Sequence, residues 1–207
     1  MNRFEKIAKG IRKLCDEQGL DLSEAVIDLI AKDLLESKLF RNEITVDTVE
    51  QGGVFKWYGR DYIKLDTLTG CCLCLTKNVL FDSKFDDDTN NWRISQLRND
   101  IKTEFIPDTE DLISFYRNLT TADGLTEYGN CMDRISMLTC DEYRKYRKFI
   151  PTTDVGYWTI TADSPECSHN VRYVYSDGSL NNGSARYRCG VRPLICLDNG
   201  TLVEVKE

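Results

Sequence analysis

The stretch that decides the fold is Gly156-Tyr157-Trp158-Thr159-Ile160, followed by Val171-Arg172-Tyr173-Val174-Tyr175-Ser176-Asp177-Gly178-Ser179 and Gly190-Val191-Arg192-Pro193-Leu194-Ile195-Cys196-Leu197. β-Branched and aromatic residues dominate each run, and Gly, Asp, Asn and Ser separate them, which reads as short strands joined by turns. Tyr157–Ile160, Val171–Tyr175, Arg186–Cys189 and Val191–Cys196 are the strand candidates. Asp177-Gly178 and Asn182-Gly183 sit between them, and both dipeptides favour tight hairpin turns. Tyr157 and Trp158 supply large core area. Gly190 allows close strand approach, and Arg192, flanked by Val191 and Leu194, is expected to pair with a carboxylate.

Upstream, residues 42–81 repeat this texture. Glu43–Val46, Val54–Trp57, Tyr62–Leu65 and Cys71–Leu75 read as strands, with turn signals at Gly52-Gly53, Gly59-Arg60-Asp61 and Thr69-Gly70. A polar loop, Asp86–Asn91, leads to a helix with Ile94, Leu97, Ile101 and Phe105 on one face, ended by Pro107. Cys140–Tyr146 is the best helical piece between 108 and 150. The first forty residues differ. Phe4, Ile7, Ala8, Ile11, Leu14 and Cys15 recur at helical spacing. Asp21 with Glu24 forms a capping-box pattern for a second helix that buries Ala25, Val26, Leu29, Ile30 and Leu34. The expected organisation is a helical hairpin in residues 1–41, with helices over 3–17 and 22–37, and an α+β domain in residues 42–207.

Composition excludes several classes. The 207 residues carry 27 bases and 34 acids, a net charge of −7, which disfavours uniform phosphate binding. The charge is uneven: residues 82–127 hold eleven acids against five bases, and residues 142–192 hold eight bases against five acids. No apolar run approaches a membrane span. Met1-Asn2-Arg3-Phe4-Glu5-Lys6 has no apolar signal region, so the nine cysteines read as reduced thiols of a cytoplasmic protein. The Asn-x-Ser/Thr sites at Asn118, Asn182 and Asn199 are silent in that context.

Candidate chemistry is sparse. Cys71, Cys72 and Cys74 look like metal ligands, but on a strand Cys72 and Cys74 share one face and Cys71 the other, and there is no second Cys-x-x-Cys pair. Core packing accounts for them better. A single histidine, His169, limits any nucleophilic catalysis to one imidazole. It lies two residues from Cys167 in a polar loop with nothing to orient it, so no enzyme is expected. Asp86-Asp87-Asp88 lacks the glycine and terminal glutamate of an EF-hand. The second helix carries Glu24, Asp28, Asp33 and Glu36 where a DNA-reading helix needs cations and amides. No cofactor and no metal are expected.

The C-terminal series Gly156-Tyr157-Trp158, Asp177-Gly178 and Gly190-Val191-Arg192-Pro193 resembles the closing pattern of a bacterial and prophage domain family of unknown function. Trp57-Tyr58-Gly59, Leu73–Lys77 and Trp92–Asn99 are similar to its earlier motifs, so the resemblance spans about residues 50–198. It implies a C-type-lectin-like fold of short, mostly antiparallel strands with flanking helices, like that of formylglycine-generating enzymes and retroelement variable proteins. The chain departs from the pattern in places. Asp100-Ile101-Lys102 stands where the family carries Trp-Leu-Asn. The catalytic cysteine pair of formylglycine-generating enzymes has no counterpart, and the calcium-binding Glu-Pro-Asn and Trp-Asn-Asp motifs of sugar-binding lectins are absent. Oxidase activity and calcium-dependent sugar binding therefore do not carry over.

The resulting expectation is a non-catalytic ligand- or protein-binding module, with a protein as partner and no nucleic acid or membrane. Its contact face is expected on the loop-like segments Ala162–Asn170 and Leu180–Arg188, with Asn181, Asn182, Arg186, Tyr187 and Arg188 as contact residues. The alternative is a phage-encoded intracellular inhibitor of a host defence protein, acting through the acidic segment 82–127. The N-terminal hairpin docks on the domain or joins two copies in a homo-oligomer.

Overall fold

The computed structural model describes residues 3–36, 43–104 and 109–205. Two helices come first, α1 (Arg3–Gln18) and α2 (Glu24–Glu36). Ala8 meets Ile27 and Ala31 in a buried seam, with Phe4, Ile7 and Ile11 packed against it. Small alanines on both helices let the backbones approach.

The hairpin differs from expectation in two details. The amides of Val26 and Ile27 both donate to the Ser23 carbonyl, so α2 starts at Glu24 with Ser23, not Asp21, at its cap position, and Glu24 pairs with Arg12 at 2.7 Å instead of closing a capping box. Ile27 and Ala31 are buried while Val26 and Leu29 face outward. Apolar residues lie on both sides of α2, so periodicity alone does not select which side meets α1.

The remaining described residues form an α+β arrangement of mostly antiparallel strands, as expected from the sequence. In chain order the strands are β1 (Glu43–Thr45), β2 (Val54–Trp57), β3 (Arg60–Leu68), β4 (Cys71–Thr76) and β5 (Phe81–Lys84). Next come α3 (Gln96–Glu104), β6 (Leu112–Ile113), β7 (Phe115–Asn118), β8 (Asn130–Asp133), β9 (Ile135–Ser136) and α4 (Cys140–Tyr146). The chain ends with β10 (Tyr157–Ala162), β11 (Asn170–Val174), β12 (Leu180–Ser184), β13 (Arg188–Val191), β14 (Leu194–Asp198) and β15 (Leu202–Val205).

The larger sheet runs β1-β15-β2-β3-β4-β14-β6, with β9 also on β14. The Leu194–Leu197 run of the opening stretch thus lies inside the sheet, between β4 and β6, and is fully buried. A five-stranded sheet runs β12-β11-β10-β13-β5, and β7 and β8 form a separate ribbon. Strand β4 explains the cysteine run. Cys72 and Cys74 belong to a core cluster with Phe55, Trp92 and Trp158. Cys71, Leu73 and Leu75 belong to a second cluster, with Tyr143, Tyr146 and Tyr157 on the other face. Burial pushes the Cys74 thiol well above its ordinary pKa, as for a small core hydrophobe.

Helix α3 buries Leu97 and Ile101, whereas Ile94 is exposed. A 3-10 turn at Trp92–Ile94 precedes the helix and resets its phase. Phe105 lies outside the described residues. Helix α4 forms where the sequence reading places it, closed at its start by a reciprocal Thr139–Glu142 capping box. Among the described residues no helix is long and apolar enough to cross a membrane.

Candidate functional site

One face of the five-stranded sheet is paved with aromatic rings. Trp158 pairs with Tyr173 across β10 and β11, and Tyr173 pairs with Asn181 across β11 and β12. The two-residue period of strands therefore places Tyr175, Asn181 and Gly183 on the face that carries Trp158 and Tyr173. The rings step outward from the core in edge-to-face contacts. Phe85 to Trp158 is 6.1 Å, Trp158 to Tyr173 is 5.9 Å and Tyr173 to Tyr175 is 6.2 Å between centroids. Such pairs prefer this geometry because ring edges are positive and ring faces negative. The Trp158 indole N–H donates to the Ser83 carbonyl at 3.0 Å, which fixes the ring on β5.

Glycines allow the rings to lie this low. A Cβ on Gly183 would sit 3.3 Å from the Tyr173 ring, and one on Gly190 would sit 2.6 Å from the Gly156 carbonyl. That carbonyl accepts the Gly190 amide at 2.9 Å, so β10 and β13 close up as a parallel pair around it. The close approach expected at Gly190 is therefore present, and its cause is a backbone oxygen.

A groove of about 360 Å³ opens over this floor. Val155, Tyr175, Tyr187, Arg188 and Asp82 are among the residues that line it. Tyr187 is 71% exposed and Tyr175 is 48% exposed, large fractions for aromatic residues. The floor is electrically quiet: burial pushes the Cys189 thiol up to about 11, so it is neutral at physiological pH. The charged groups at the rim neutralise each other, since the Arg188 Nε donates to Asp82 Oδ2 at 3.2 Å. The volume and the mainly apolar lining are those of a site for an apolar or aromatic group.

The sequence-derived contact residues fall around this groove in different roles. Tyr187 and Arg188 line it. Asn181 and Asn182 lie on β12, the outermost described strand on that side, and the Asn182 side-chain Nδ2 donates to Asp163 Oδ2 at 3.0 Å. Arg186 turns toward the acidic loop and donates to the Asp87 carbonyl at 2.5 Å. The segment Leu180–Arg188 is not simply a loop: residues 180–184 form β12 and pair with β11 throughout. Asn182-Gly183, read as a hairpin turn, lies within that strand, because cross-strand pairing outweighs local turn preference. The sequence reading did not single out Tyr173 and Tyr175, which line the groove. The available signal was their i, i+2 spacing on a strand beside the Asp177-Gly178 turn.

The second expected contact segment is held from beneath. Asn90 is fully buried, and its Nδ2 donates to the carbonyls of Ser164, Cys167 and Asn170, each at 2.9 Å. Its Oδ1 accepts the Tyr128 hydroxyl at 2.6 Å. The loop that carries His169 and Cys167, both exposed, is thus anchored by one side chain. Asn90→Ala is expected to cost about 1–3 kcal/mol, because the Ser164 carbonyl loses its donor and the Tyr128 hydroxyl its acceptor, and to speed amide exchange selectively in residues 163–170. Unchanged exchange there would show that the loop is held by other means.

The surroundings of Arg192 differ from the expectation. Arg192 is fully buried, but no carboxylate pairs with it among the described residues. Its guanidinium donates to the carbonyls of Thr76 at 2.8 Å, Lys77 at 2.7 Å and Pro151 at 3.3 Å and stacks over Tyr157 at 5.1 Å. Asp86, in the acidic run, accepts the amides of Asp88, Thr89 and Gln96, so it caps the loop and the start of α3. Among the described residues no cluster of three or more His, Cys, Asp or Glu is placed to hold a metal ion. A second groove near α4 is polar, and its Thr121, Thr139 and Thr161 hydroxyls are engaged with Asp123, Glu142 and the Cys140 amide.

The comparisons with known proteins add one finding. A domain of unknown function, DUF6273, is found at residues 110–199. That span runs from just before β6 through β14, so it contains four of the five strands under the groove and the buried Arg192. The resemblance read from the sequence starts earlier, at about residue 50. No curated protein and no solved structure matches the chain.

Proposed function

We propose that the chain is a non-catalytic binding module of bacterial or phage origin, built on a C-type-lectin-like scaffold, and that it holds a protein partner through the aromatic groove. The observation that carries this reading is the exposure of Tyr175 and Tyr187 over a floor made rigid by close-packed glycines and rings. Exposed aromatic side chains on a fixed scaffold lose little entropy on binding and are the residues that dominate interface energies. Position at the cytoplasmic side of the cell fits the reduced cysteines, all nine of which are free.

The reading is tested with small aromatic compounds followed by ligand-observed NMR. Compounds that bind are expected to weaken at least about 30-fold on Tyr187→Ala, the effect of a strong aromatic hot spot. Cys189→Trp, which fills the floor, is expected to abolish binding with the fold retained by circular dichroism. Compounds that bind both variants as they bind the parent would refute the groove. The inhibitor reading, through the acidic residues of 82–127, has less support: Asp82 and Asp87 are paired with Arg188 and Lys84, and Asp86 is used in capping.

A further inference from the structure

The groove is open on one side, at β12. Among the described residues that strand has β11 as its only neighbour, and it ends the five-stranded sheet. The phase of its ladder is fixed at both ends. The Tyr175 amide donates to the Ser179 carbonyl at 2.8 Å, and the Ala185 amide donates to the His169 carbonyl at 2.7 Å. Hydrogen-bonded pairs alternate in an antiparallel ladder, so Asn181 and Gly183 bond to β11, while the backbones of Leu180, Asn182 and Ser184 point away from the sheet. The Ser184 carbonyl accepts the Tyr187 amide. The other outward groups, three N–H and two carbonyls, are not taken up by any described residue.

Such an edge is a template for another strand, and proteins ordinarily blunt it with charge, proline or a bulge. Strand β12, Leu180-Asn181-Asn182-Gly183-Ser184, has none of these: its five pairs with β11 run in unbroken register. The opposite edge is different. Strand β5 carries Asp82 and Lys84, which pair with Arg188 and Asp87.

Edge and groove are continuous. Gly183 borders the groove, and beyond the Tyr173 ring nothing lies within 4 Å of where its side chain would be. A strand laid about 4.8 Å outside β12 places alternate side chains above Asn181 and Gly183, on the face of Tyr173 and Tyr175. We propose that the partner enters as an extended peptide segment that adds to the sheet beside β12 and drops an uncharged apolar or aromatic side chain through the Gly183 gap into the groove. Backbone bonds supply part of the affinity and the groove supplies selectivity. Uncharged chemistry follows from the mutual pairing of Asp82 and Arg188 and the neutral Cys189. The proposal rests on the groove reading above and adds the partner's conformation and chemistry to it.

The test uses the full chain and a phage-displayed library of random dodecapeptides, with an enriched peptide synthesised for calorimetry. Asn182→Pro removes an outward N–H, together with the side-chain bond to Asp163, and crowds the edge, a place where sheets tolerate proline; Asn182 does not line the groove. It is expected to weaken binding about 30-fold or more, the loss of two or so hydrogen bonds. The same peptide N-methylated at alternate backbone positions should lose as much against the unaltered protein, so a misfolded variant cannot decide the result. Exchange of the Leu180, Asn182 and Ser184 amides should slow on binding. Equal affinity for the N-methylated peptide, unprotected amides, or a library with no enriched peptide would overturn strand addition. So would a parent chain that is dimeric and becomes monomeric on Asn182→Pro, since β12 would then be covered by a second copy. Binding lost on Cys189→Trp but kept with the N-methylated peptide would leave the groove reading standing and this one refuted.

Discussion

Arg192→Ala is expected to lower stability by about 3–5 kcal/mol, because three carbonyls lose their donor inside the protein and a cavity opens under Tyr157. For a chain of this length that is a fall in melting temperature of about 10 °C. The carbonyls of Thr76, Lys77 and Pro151 come from the end of β4, the following turn and the segment after α4. One side chain thus ties two separate parts of the chain, residues 76–77 and 151, to the connection between β13 and β14. Burial lowers the pKa of the guanidinium, yet arginine keeps its charge at any ordinary pH. Arg192→Lys should recover less than half of the loss, since one ammonium cannot span a planar fork of three acceptors. The measurement is urea unfolding of the three proteins side by side. A loss below about 1 kcal/mol for Arg192→Ala would mean that the carbonyls are rehydrated and that the clamp has little net value.

Asp133→Ala should have a comparable effect. The Asp133 side chain is fully buried, accepts the Trp92 indole N–H at 2.7 Å and the Arg98 Nε at 2.8 Å, and joins β8 to the start of α3. Removing one member of such a cluster leaves a buried indole N–H and a partly buried guanidinium without their acceptor, a cost of about 3–5 kcal/mol. Asp133→Asn keeps the size and one acceptor oxygen and should lie between alanine and the parent. Near-UV circular dichroism from Trp92 should change in both variants, while far-UV signals stay native in Asp133→Asn. Identical unfolding midpoints for all three proteins would show that the cluster is energetically neutral.

Legibility in the sequence followed the range of the interaction. The helical hairpin, β2, β4, β10 and α4 appear where local pattern places them, because alternation, helical spacing and capping are properties of neighbouring residues. Strand β5, Phe81-Asp82-Ser83-Lys84, carries no strand signal of its own; it is a strand because it pairs with β13 from Lys84↔Arg188 to Phe81↔Val191. Strand β12 is a similar case, and there Asn182-Gly183 points locally to a turn. The face of α2 was ambiguous because apolar residues lie on both its sides.

The site divides in the same way. Tyr187 and Arg188, which line the groove, stood out in the sequence as large amphipathic side chains in a polar segment. Tyr173, Tyr175 and Gly183 did not, because a groove is made by residues from different strands and their meeting depends on register. Arg192 was legible as a buried cation but not in its partners, which lie 116 and 115 residues away at Thr76 and Lys77 and 41 away at Pro151.

By itself the sequence determined the class of this protein: a two-helix element followed by an α+β arrangement of short antiparallel strands, with the Tyr157–Leu197 region at its centre. Hydrophobic periodicity and turn residues encode this, and both act over a few residues. The tertiary structure decided which strand is left at the edge, which rings share a face, where Asn90 and Arg192 find their carbonyls, and that a groove opens beside β12. Those are outcomes of pairing across long chain separations, where many registers satisfy local pattern and only packing of the whole core selects one.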